Sequence, residues 1–410
     1  MPRTVIRNGN VLDTSTMTYA EATLVIEAGR VVDVDAAPTV DGDIVIDAGG
    51  SYVVPGLVDC HVHFRLATLN FQKLARMSEV EFGITMAQLS RATVERGFTT
   101  VRDLGGEVTG LMAAIRAGKA IGPRIVRAGR MLSQTGGHGD VRPGAVDVAS
   151  CGCSLHSDVM SIVADGPDAV RKAARHNLRE GSDFLKIHVS GGVASPTDPL
   201  ESVQYTPEEI QAAVTEAEHR HTYVAAHAYS AESITMAVEN GVHTIEHGNL
   251  IDATAAAAAA HHGAVVVPTL VTYRAMDELG QQLGLPAKNL EKNAMVLDAG
   301  RTAVEIARDA GVTLGFGTDL IGETQIRQNE ELAIQADIRP AAEVLHSMWQ
   351  VNPTLCHLDG EIGTLTPGAF GDAVISTVDP LEDLAAFADH ETAFTHVVQG
   401  GSIIVDRTTG

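Results

Sequence analysis

Two histidines separated by one residue end an apolar stretch of the chain, His61-Val62-His63. Alternate residues of a β-strand share a face, so both imidazoles are expected to point to the same side. Two imidazoles that converge at a strand end can bind one divalent metal ion. A His-x-His pattern alone is common, so polar residues that merely end a strand remain the alternative.

Lys186 stands inside another apolar stretch, Phe-Leu-Lys-Ile-His-Val. A buried strand should carry no lone charge, and burial disfavours the ammonium form of a lysine. A neutral lysine amine can react with CO2 to give a carbamate, which is an anionic ligand that can bridge two metal ions. The alternative is a lysine paired with a carboxylate, such as Asp103.

Three more candidate ligands end apolar stretches further along the chain. His227 lies in Ala-Ala-His-Ala-Tyr, His247 in Ile-Glu-His-Gly-Asn and Asp319 in Gly-Phe-Gly-Thr-Asp. A single histidine in such a place can be a satisfied core residue. The recurrence of metal-ligating side chains at strand ends instead favours a shared site.

The elements that must position these residues alternate between strand and helix. The sequence predicts eight strands: Val53–Asp59, Thr99–Asp103, Ile125–Ala128, Phe184–Val189, Tyr223–His227, Thr244–His247, Val265–Thr269 and Leu314–Gly317. Amphipathic helices are predicted between them, including Val80–Glu95, Ala169–Glu180, Pro207–Arg220, Ala231–Asn240 and Leu290–Ala310. Eight such units predict an α/β fold, a parallel (β/α)8 TIM-like barrel, whose active sites lie at the C-terminal ends of the strands.

Both ends of the chain have short strand patterns separated by turn residues. These are Thr4–Ile6, Thr23–Ile26, Val31–Val34 and Ile44–Ile46 at one end, and Ala373–Thr377, Phe394–Val398 and Ser402–Val405 at the other. We expect residues 1–55 and 360–410 to form one small β-sandwich domain, and residues 56–359 to form the barrel.

Composition limits the classes of partner. The 410 residues contain 29 Lys and Arg against 52 Asp and Glu, a net charge of −23, which repels nucleic acid and anionic membrane surfaces. No apolar run reaches the ~20 residues of a membrane helix, and Met-Pro-Arg-Thr-Val lacks an apolar signal core. Four cysteines, Cys60, Cys151, Cys153 and Cys356, fit reduced thiols and a cytoplasmic location.

With these residues in place, the sequence resembles the amidohydrolase superfamily, in its binuclear type with a carboxylated lysine. Val-Pro-Gly-Leu-Val-Asp-Cys-His-Val-His (54–63) matches the family's entry motif. Within the superfamily the chain is most similar to the Xaa-Pro dipeptidase, carboxypeptidase and ochratoxinase group. That similarity rests on Gln-Thr-Gly-Gly-His-Gly-Asp (134–140), Lys-Ile-His-Val-Ser-Gly-Gly-Val (186–193) and His-Ala-Tyr (227–229).

The resemblance implies a role for each ligand. His61, His63 and Asp319 hold the more buried metal ion, His227 and His247 hold the more exposed one, and carboxylated Lys186 bridges the two. Zinc is the expected ion. A hydroxide between the metals attacks the carbonyl, and Asp319 carries its proton to the leaving amine.

Two further residues are candidates for substrate contact. By resemblance His138 polarises the carbonyl or holds the substrate, whereas a loop histidine with no role is the alternative. Tyr229 shares the face of His227 if the strand continues, and its hydroxyl could bind a carboxylate or an oxyanion. A structural tyrosine is the alternative. The roles of four residues stay open: Arg65, His188, Tyr273 and Arg327.

The expected function is hydrolysis of an amide bond in a dipeptide or an N-acyl amino acid with a free carboxylate. Two alternatives remain: a hydrolase of cyclic amides such as imidazolones, or of carbamates, ureas and xenobiotic amides, and a non-catalytic scaffold. The expected partner is a small-molecule substrate, and the chain is expected to form homo-oligomers, as relatives do.

Overall fold

The computed structural model describes residues 3–34, 39–74, 76–140, 160–195 and 198–408. Cys151 and Cys153 lie outside these residues. The strands, in chain order, are β1 Thr4–Asp13, β2 Thr18–Glu27, β3 Arg30–Val34, β4 Ile44–Asp47, β5 Tyr52–Pro55, β6 Leu57–Val62, β7 Phe98–Asp103, β8 Arg124–Arg127, β9 Met131–Ser133, β10 Ser161–Val163, β11 Leu185–His188, β12 Val224–Ser230, β13 Thr244–Leu250, β14 Val265–Val267, β15 Thr313–Leu314, β16 Ala373–Ser376, β17 Phe394–Gln399 and β18 Ser402–Asp406.

Helices follow most strands of the middle part. They are α1 Phe71–Leu74, α2 Glu79–Glu95, α3 Thr109–Arg116, α4 Pro167–Arg179, α5 Pro207–Glu218, α6 Ala231–Glu239, α7 Ala253–His261, α8 Leu270–Leu283, α9 Ala287–Asp309, α10 Glu330–Ala336, α11 Ala341–His346, α12 Asn352–Leu355, α13 Leu384–Ala388 and α14 His390–Ala393, with a 3-10 turn at Gly322–Arg327 and a π-helical turn at Ser347–Val351. Among the described helices, none is both long and apolar enough to cross a membrane.

Strands from both chain ends join in one eight-stranded sheet, in the order β18-β17-β16-β5-β1-β2-β3, with β4 also paired to β1. The β-branched and leucine residues predicted here, such as Ile6, Leu24 and Ile375, lie in its buried core. The two ends of the chain therefore meet, as the sequence predicts. The exact division at residues 55 and 360 stays a prediction.

The middle of the chain contains two parallel sheets, β6-β7-β8 and β10-β9-β11-β12-β13-β14-β15. Apolar residues on one face of the larger sheet, such as Ile187, Ala226, Ile245 and Val266, pack in one core cluster with helices α4 to α7. Burial of that face against helices leaves the alternate residues on the other face. The prediction of a parallel α/β fold is confirmed.

Several strand boundaries differ from the prediction, among them those of the first and the eighth predicted strands, and β9 and β10 were not predicted. The predicted strand Val53–Asp59 is broken at Gly56, so that β5 joins the terminal sheet and β6 the parallel one. Pro55 cannot donate a ladder hydrogen bond, and a Cβ at Gly56 would lie 2.1 Å from the Thr99 hydroxyl. The eighth strand is also shorter than predicted, because its ladder ends at Leu314.

Backbone and side-chain hydrogen bonds connect the segments next to the strands of the two parallel sheets. Asp183 donates its N–H to Arg127 O over 2.9 Å, and Cys60 donates to Phe316 O over 2.9 Å. The buried Asn352 amide donates to Val58 O and Phe316 O, both over 2.9 Å, and accepts from Phe316 N over 3.1 Å. One side chain thus ties β6 to the segment after β15.

Asn352→Ala should destabilise the fold strongly, because it leaves buried backbone groups without partners. We expect the free energy of unfolding to fall by about 2–4 kcal/mol, measured by urea denaturation. Gln282→Ala, at an exposed amide, is the control and should change it by less than about 0.5 kcal/mol. Equal stability of the two variants would contradict the role given to Asn352.

Candidate metal centre

His61 and His63 present the same ring nitrogen to one carboxylate. Both Nε2 atoms lie 3.4 Å from Asp319 Oδ1. Their Nδ1 atoms face the other way: that of His61 is 2.9 Å from Glu246 Oε2, and that of His63 is 3.3 Å from Gly105 O. The period-two alternation of β6 thus brings both imidazoles to one point, as the sequence predicts.

Asp319 is held beside the two histidines by its own backbone and by the residue before it. Asp319 N donates to His61 O over 2.7 Å, and the Thr318 hydroxyl donates to Asp59 Oδ2 over 2.6 Å. Asp59 Oδ1 also accepts the His61 N–H over 2.9 Å. Asp319 has φ +52°, a conformation that non-glycine residues adopt at a cost and that clusters at functional sites.

His247 reaches the site by a departure from strand alternation. In the register of the sheet it pairs with Ala228, which faces the helices. A φ of +76° at His247 turns its side chain the other way, to 4.0 Å (Nδ1) from Asp319 Oδ2, and Nδ1 also lies 2.8 Å from the Thr269 hydroxyl. His61, His247 and Asp319 offer ligand atoms within 4.8 Å of one another, a group able to hold a metal ion.

His227 and Lys186 complete the cluster from the neighbouring strands β12 and β11. The His227 ring lies 4.7 Å from the His247 ring, and its Nε2 is 3.0 Å from Gly191 O. Lys186 is 1% exposed, and among the described residues its amine has no hydrogen-bond partner. Asp103 instead accepts the N–H groups of Phe64 and Gly105, so the alternative of a Lys186–Asp103 pair is not what the structure shows.

Burial sets the protonation of these groups. Burial, together with the charge of Lys186, lowers the pKa of His63 to about 4. Burial likewise lowers the pKa values of His61, His227 and His247 well below the ordinary value, and it lowers that of Lys186 to about 8. Burial raises the pKa of Asp319 to about 8, against the opposing charge of Lys186.

The donor set fits divalent metal ions. Neutral imidazoles are the form that binds metals, and nitrogen and carboxylate ligands suit zinc. A buried amine without a partner and with a lowered pKa has the reactivity that carbamate formation needs. The residues present therefore match a centre of this type.

His138 packs directly on the cluster. Its ring stacks on His227, with centroids 4.3 Å apart and planes inclined by 14°. Its Nδ1 lies 3.5 Å from Asp198 Oδ2, and a Cβ at Gly192 would lie 2.1 Å from the ring. A glycine at position 192 is therefore needed for this ring position.

Tyr229 also lies against the ligands, as expected if β12 continues past His227. Its ring stacks on that of His247 at a centroid distance of 5.2 Å. Its hydroxyl is 2.9 Å from that of Tyr273, so Tyr273 belongs to the same cluster. Burial raises the pKa of both phenols, which keeps them as neutral hydrogen-bond donors.

The other three open residues have different surroundings. The Arg65 guanidinium lies 3.9 Å over the Phe82 ring. Arg327 forms ion pairs with Glu278 and Glu330, and these two carboxylates balance its charge. His188 is buried with its ring edge-on to His138 and His227.

Sequence reasoning missed three residues that contact the candidate site: Glu246, Thr269 and Asp198. A signal existed for Glu246, because it is a charged residue inside an apolar strand, the argument that singled out Lys186. Thr269 and Asp198 carried no such signal, since a threonine at a strand end and an aspartate in a loop are ordinary.

Comparison with known proteins shows which family has this arrangement. Residues 52–404 match the amidohydrolase family, and the chain belongs to it. A prolidase solved with N-methylphosphonate-L-proline is 41% identical, covers 99% of this chain and 100% of its own, and has a TM-score of 0.94. A Xaa-Pro dipeptidase with bound methionine in its active site is 27% identical, with 98% and 99% coverage and a TM-score of 0.87. Ochratoxinase from Aspergillus niger is 28% identical over 365 residues, 86% of this chain and 75% of the relative.

Replacing single ligands should lower the bound metal. We expect purified protein to contain divalent metal, and His61→Ala and Asp319→Ala to lose at least one equivalent per chain, because each removes a donor atom from the cluster. His346→Ala, at an exposed histidine, is the matched control. Elemental analysis by mass spectrometry gives the stoichiometry, and unchanged metal content in both ligand variants would rule out this site.

Proposed function

We propose that the protein hydrolyses the amide bond of a dipeptide or N-acyl amino acid with a free carboxylate, and that Xaa-Pro dipeptides are its first candidate substrates. The carrying observation is the convergence of His61, His63, His227, His247 and Asp319. The buried Lys186 amine, which interacts electrostatically with Asp319, has no hydrogen-bond partner among the described residues. The similarity to a prolidase at 41% identity supports the choice of substrate. Its ligand joins a tetrahedral phosphonate to proline, and an amide carbon under attack is also tetrahedral.

The proposal assigns ligands to two metal ions, preferably zinc. His61, His63 and Asp319 would hold one ion, His227 and His247 would hold the other, and a carbamate on Lys186 would supply an anionic ligand to both. Bound there, the ions polarise a carbonyl group and lower the pKa of a water molecule. We also propose that residues 56–359 close into a barrel, which the hydrogen bonds between the two parallel sheets support, and that residues 1–55 and 360–410 form the small domain.

The protein's own groups carry the proton and hold the substrate. In the proposal, the Asp319 carboxylate accepts the proton of the attacking water and returns it to the leaving nitrogen, because its Oδ1 lies beside the two histidines that would hold the ion. The Tyr229 hydroxyl donates to the oxygen that gains charge. His138, stacked on His227, positions the substrate carbonyl.

Asp319→Asn should remove turnover, because an amide cannot accept the proton. We expect kcat/KM for the best substrate to fall by about 10²–10⁴-fold or more. Each protein is assayed with Xaa-Pro and other dipeptides, N-acyl amino acids, cyclic amides and carbamates. Asp277→Asn, at an exposed carboxylate, is the control. Activity only on cyclic amides or carbamates would refute the proposed substrate class, and full activity of Asp319→Asn would refute the proton transfer.

Carbamate formation on Lys186 should rise between pH 7 and pH 9. With a pKa of about 8, the neutral amine grows from roughly 10% to roughly 90% over this range. An exposed lysine remains mostly protonated. Metal-free protein under a constant pressure of ¹³CO2 should show a carbamate ¹³C resonance that follows this rise and is absent in Lys186→Met. A spectrum identical in the two proteins would contradict carboxylation of this lysine.

A further inference from the structure

Glu246 is a fully buried carboxylate on the face of β13 that points to the candidate metal centre. It pairs in the sheet register with His227, and it is 0% exposed. A buried carboxylate costs free energy unless hydrogen bonds and opposite charge compensate it. Its neighbours therefore show what holds it there.

The two oxygens of Glu246 have separate partners. Oε1 accepts from Arg102 over 2.7 Å and from the Thr244 hydroxyl over 2.6 Å. Oε2 lies 2.9 Å from His61 Nδ1. The ion pair with Arg102 thus occupies one oxygen and leaves the other for the histidine ring.

Arg102 fixes the backbone beside the same histidine. Its Nε donates to Cys60 O over 2.7 Å, and its NH1 group donates to the Tyr223 hydroxyl over 3.1 Å. Arg102 is also 0% exposed. The Arg102–Glu246 pair therefore contacts both the peptide group that precedes His61 and the ring of His61.

The contact at Nδ1 decides which nitrogen His61 offers to the cluster. A carboxylate is an acceptor only, so the proton of a neutral His61 ring lies on Nδ1. Nε2, 3.4 Å from Asp319 Oδ1, then carries the lone pair. A carboxylate that orients a metal-binding histidine in this way typically contributes 10–100-fold to metal affinity.

We propose that Glu246, held by Arg102, is a positioning residue that fixes the ring of His61 with its Nε2 lone pair toward the metal ion bound by His61, His63 and Asp319. The inference rests on the proposed two-metal function. It goes beyond that function because it assigns a metal-affinity role to a pair of residues that bind no metal themselves. A purely structural ion pair would contribute to folding and leave the affinity of the ions unchanged.

Glu246→Gln tests this role at nearly constant volume. A glutamine side chain cannot accept hydrogen bonds from both neighbours. Either its N–H₂ group faces Arg102, or that group donates to His61 Nδ1 and so favours the tautomer with the proton on Nε2. Metal-free protein is titrated with Zn²⁺ against a chromophoric chelator. Because His61 serves one of the two ions, we expect one binding step to weaken by about 10–100-fold and the other to remain within about threefold of the parent.

Glu331→Gln is the matched control. Glu331 is also a 0% exposed carboxylate, but it accepts from Val271 N and Gln335. We expect it to lower stability and to leave both zinc-binding steps as in the parent. Arg102→Lys is the second variant, in case Glu246→Gln does not fold. It keeps the positive charge but loses the several hydrogen bonds of the guanidinium group, so it should weaken the same zinc-binding step as Glu246→Gln.

The outcomes separate this inference from the proposed function. The positioning role is overturned if Glu246→Gln binds zinc like the parent. It is also overturned if Glu246→Gln and Glu331→Gln weaken both zinc-binding steps to the same extent. Either result leaves the proposed hydrolysis standing. A parent protein that binds no zinc refutes the two-metal function and the inference together. Weakening of a single zinc-binding step in Glu246→Gln supports the role of Glu246. The d–d absorption of the Co²⁺-loaded variant should then also differ from that of the Co²⁺-loaded parent.

Discussion

The removal of ionisable groups from water is the constraint on which this molecule's interior depends. A buried ionisable group is stable only when its charge is paired with an opposite charge or when the group is neutral. The histidines give up their charge, since burial lowers their pKa values, whereas Arg102 and Glu246 form an ion pair 2.7 Å apart. A neutral imidazole has one donor and one acceptor nitrogen. The hydrogen bond at the nitrogen that faces away from the cluster therefore determines whether the other nitrogen carries a proton or a lone pair.

The backbone meets this constraint by combining regular strands with two irregular residues. Parallel pairing brings Lys186, His227 and Glu246 to one face by simple alternation. His247 and Asp319 reach the same place only through positive φ values. Strained residues persist where the surroundings fix them, and the hydrogen bonds of Asp319 N to His61 O and of Thr318 to Asp59 provide that surrounding. At Asp319, these buried hydrogen bonds offset the cost of the strained backbone.

The predictability of the site from sequence follows the same division. Period-two alternation and strand ends were enough to place His61, His63, Lys186 and His227, and the helix predictions differ from the observed ends by at most three residues. Alternation does not explain the position of His247, which the sequence singles out only because it ends an apolar stretch. The break at Gly56 depends on contact with Thr99, and the place of Asp198 depends on a loop conformation. Such long-range contacts leave no periodic signal in the chain.

The loop residues beside His138 are held by a different set of contacts from the histidine cluster. Lys292 on α9 donates to the carbonyl groups of Gly192, Ser195 and Asp198, and Gly192 and Asp198 border His138. Helix α9 thus fixes the loop that carries these residues, whereas His61 and Asp319 are fixed by β6 and β13. Loops can therefore change without disturbing the ligands, as is general for sites on this kind of scaffold. This separation gives a physical reason why prolidase, Xaa-Pro dipeptidase and ochratoxinase relatives share the architecture of this chain.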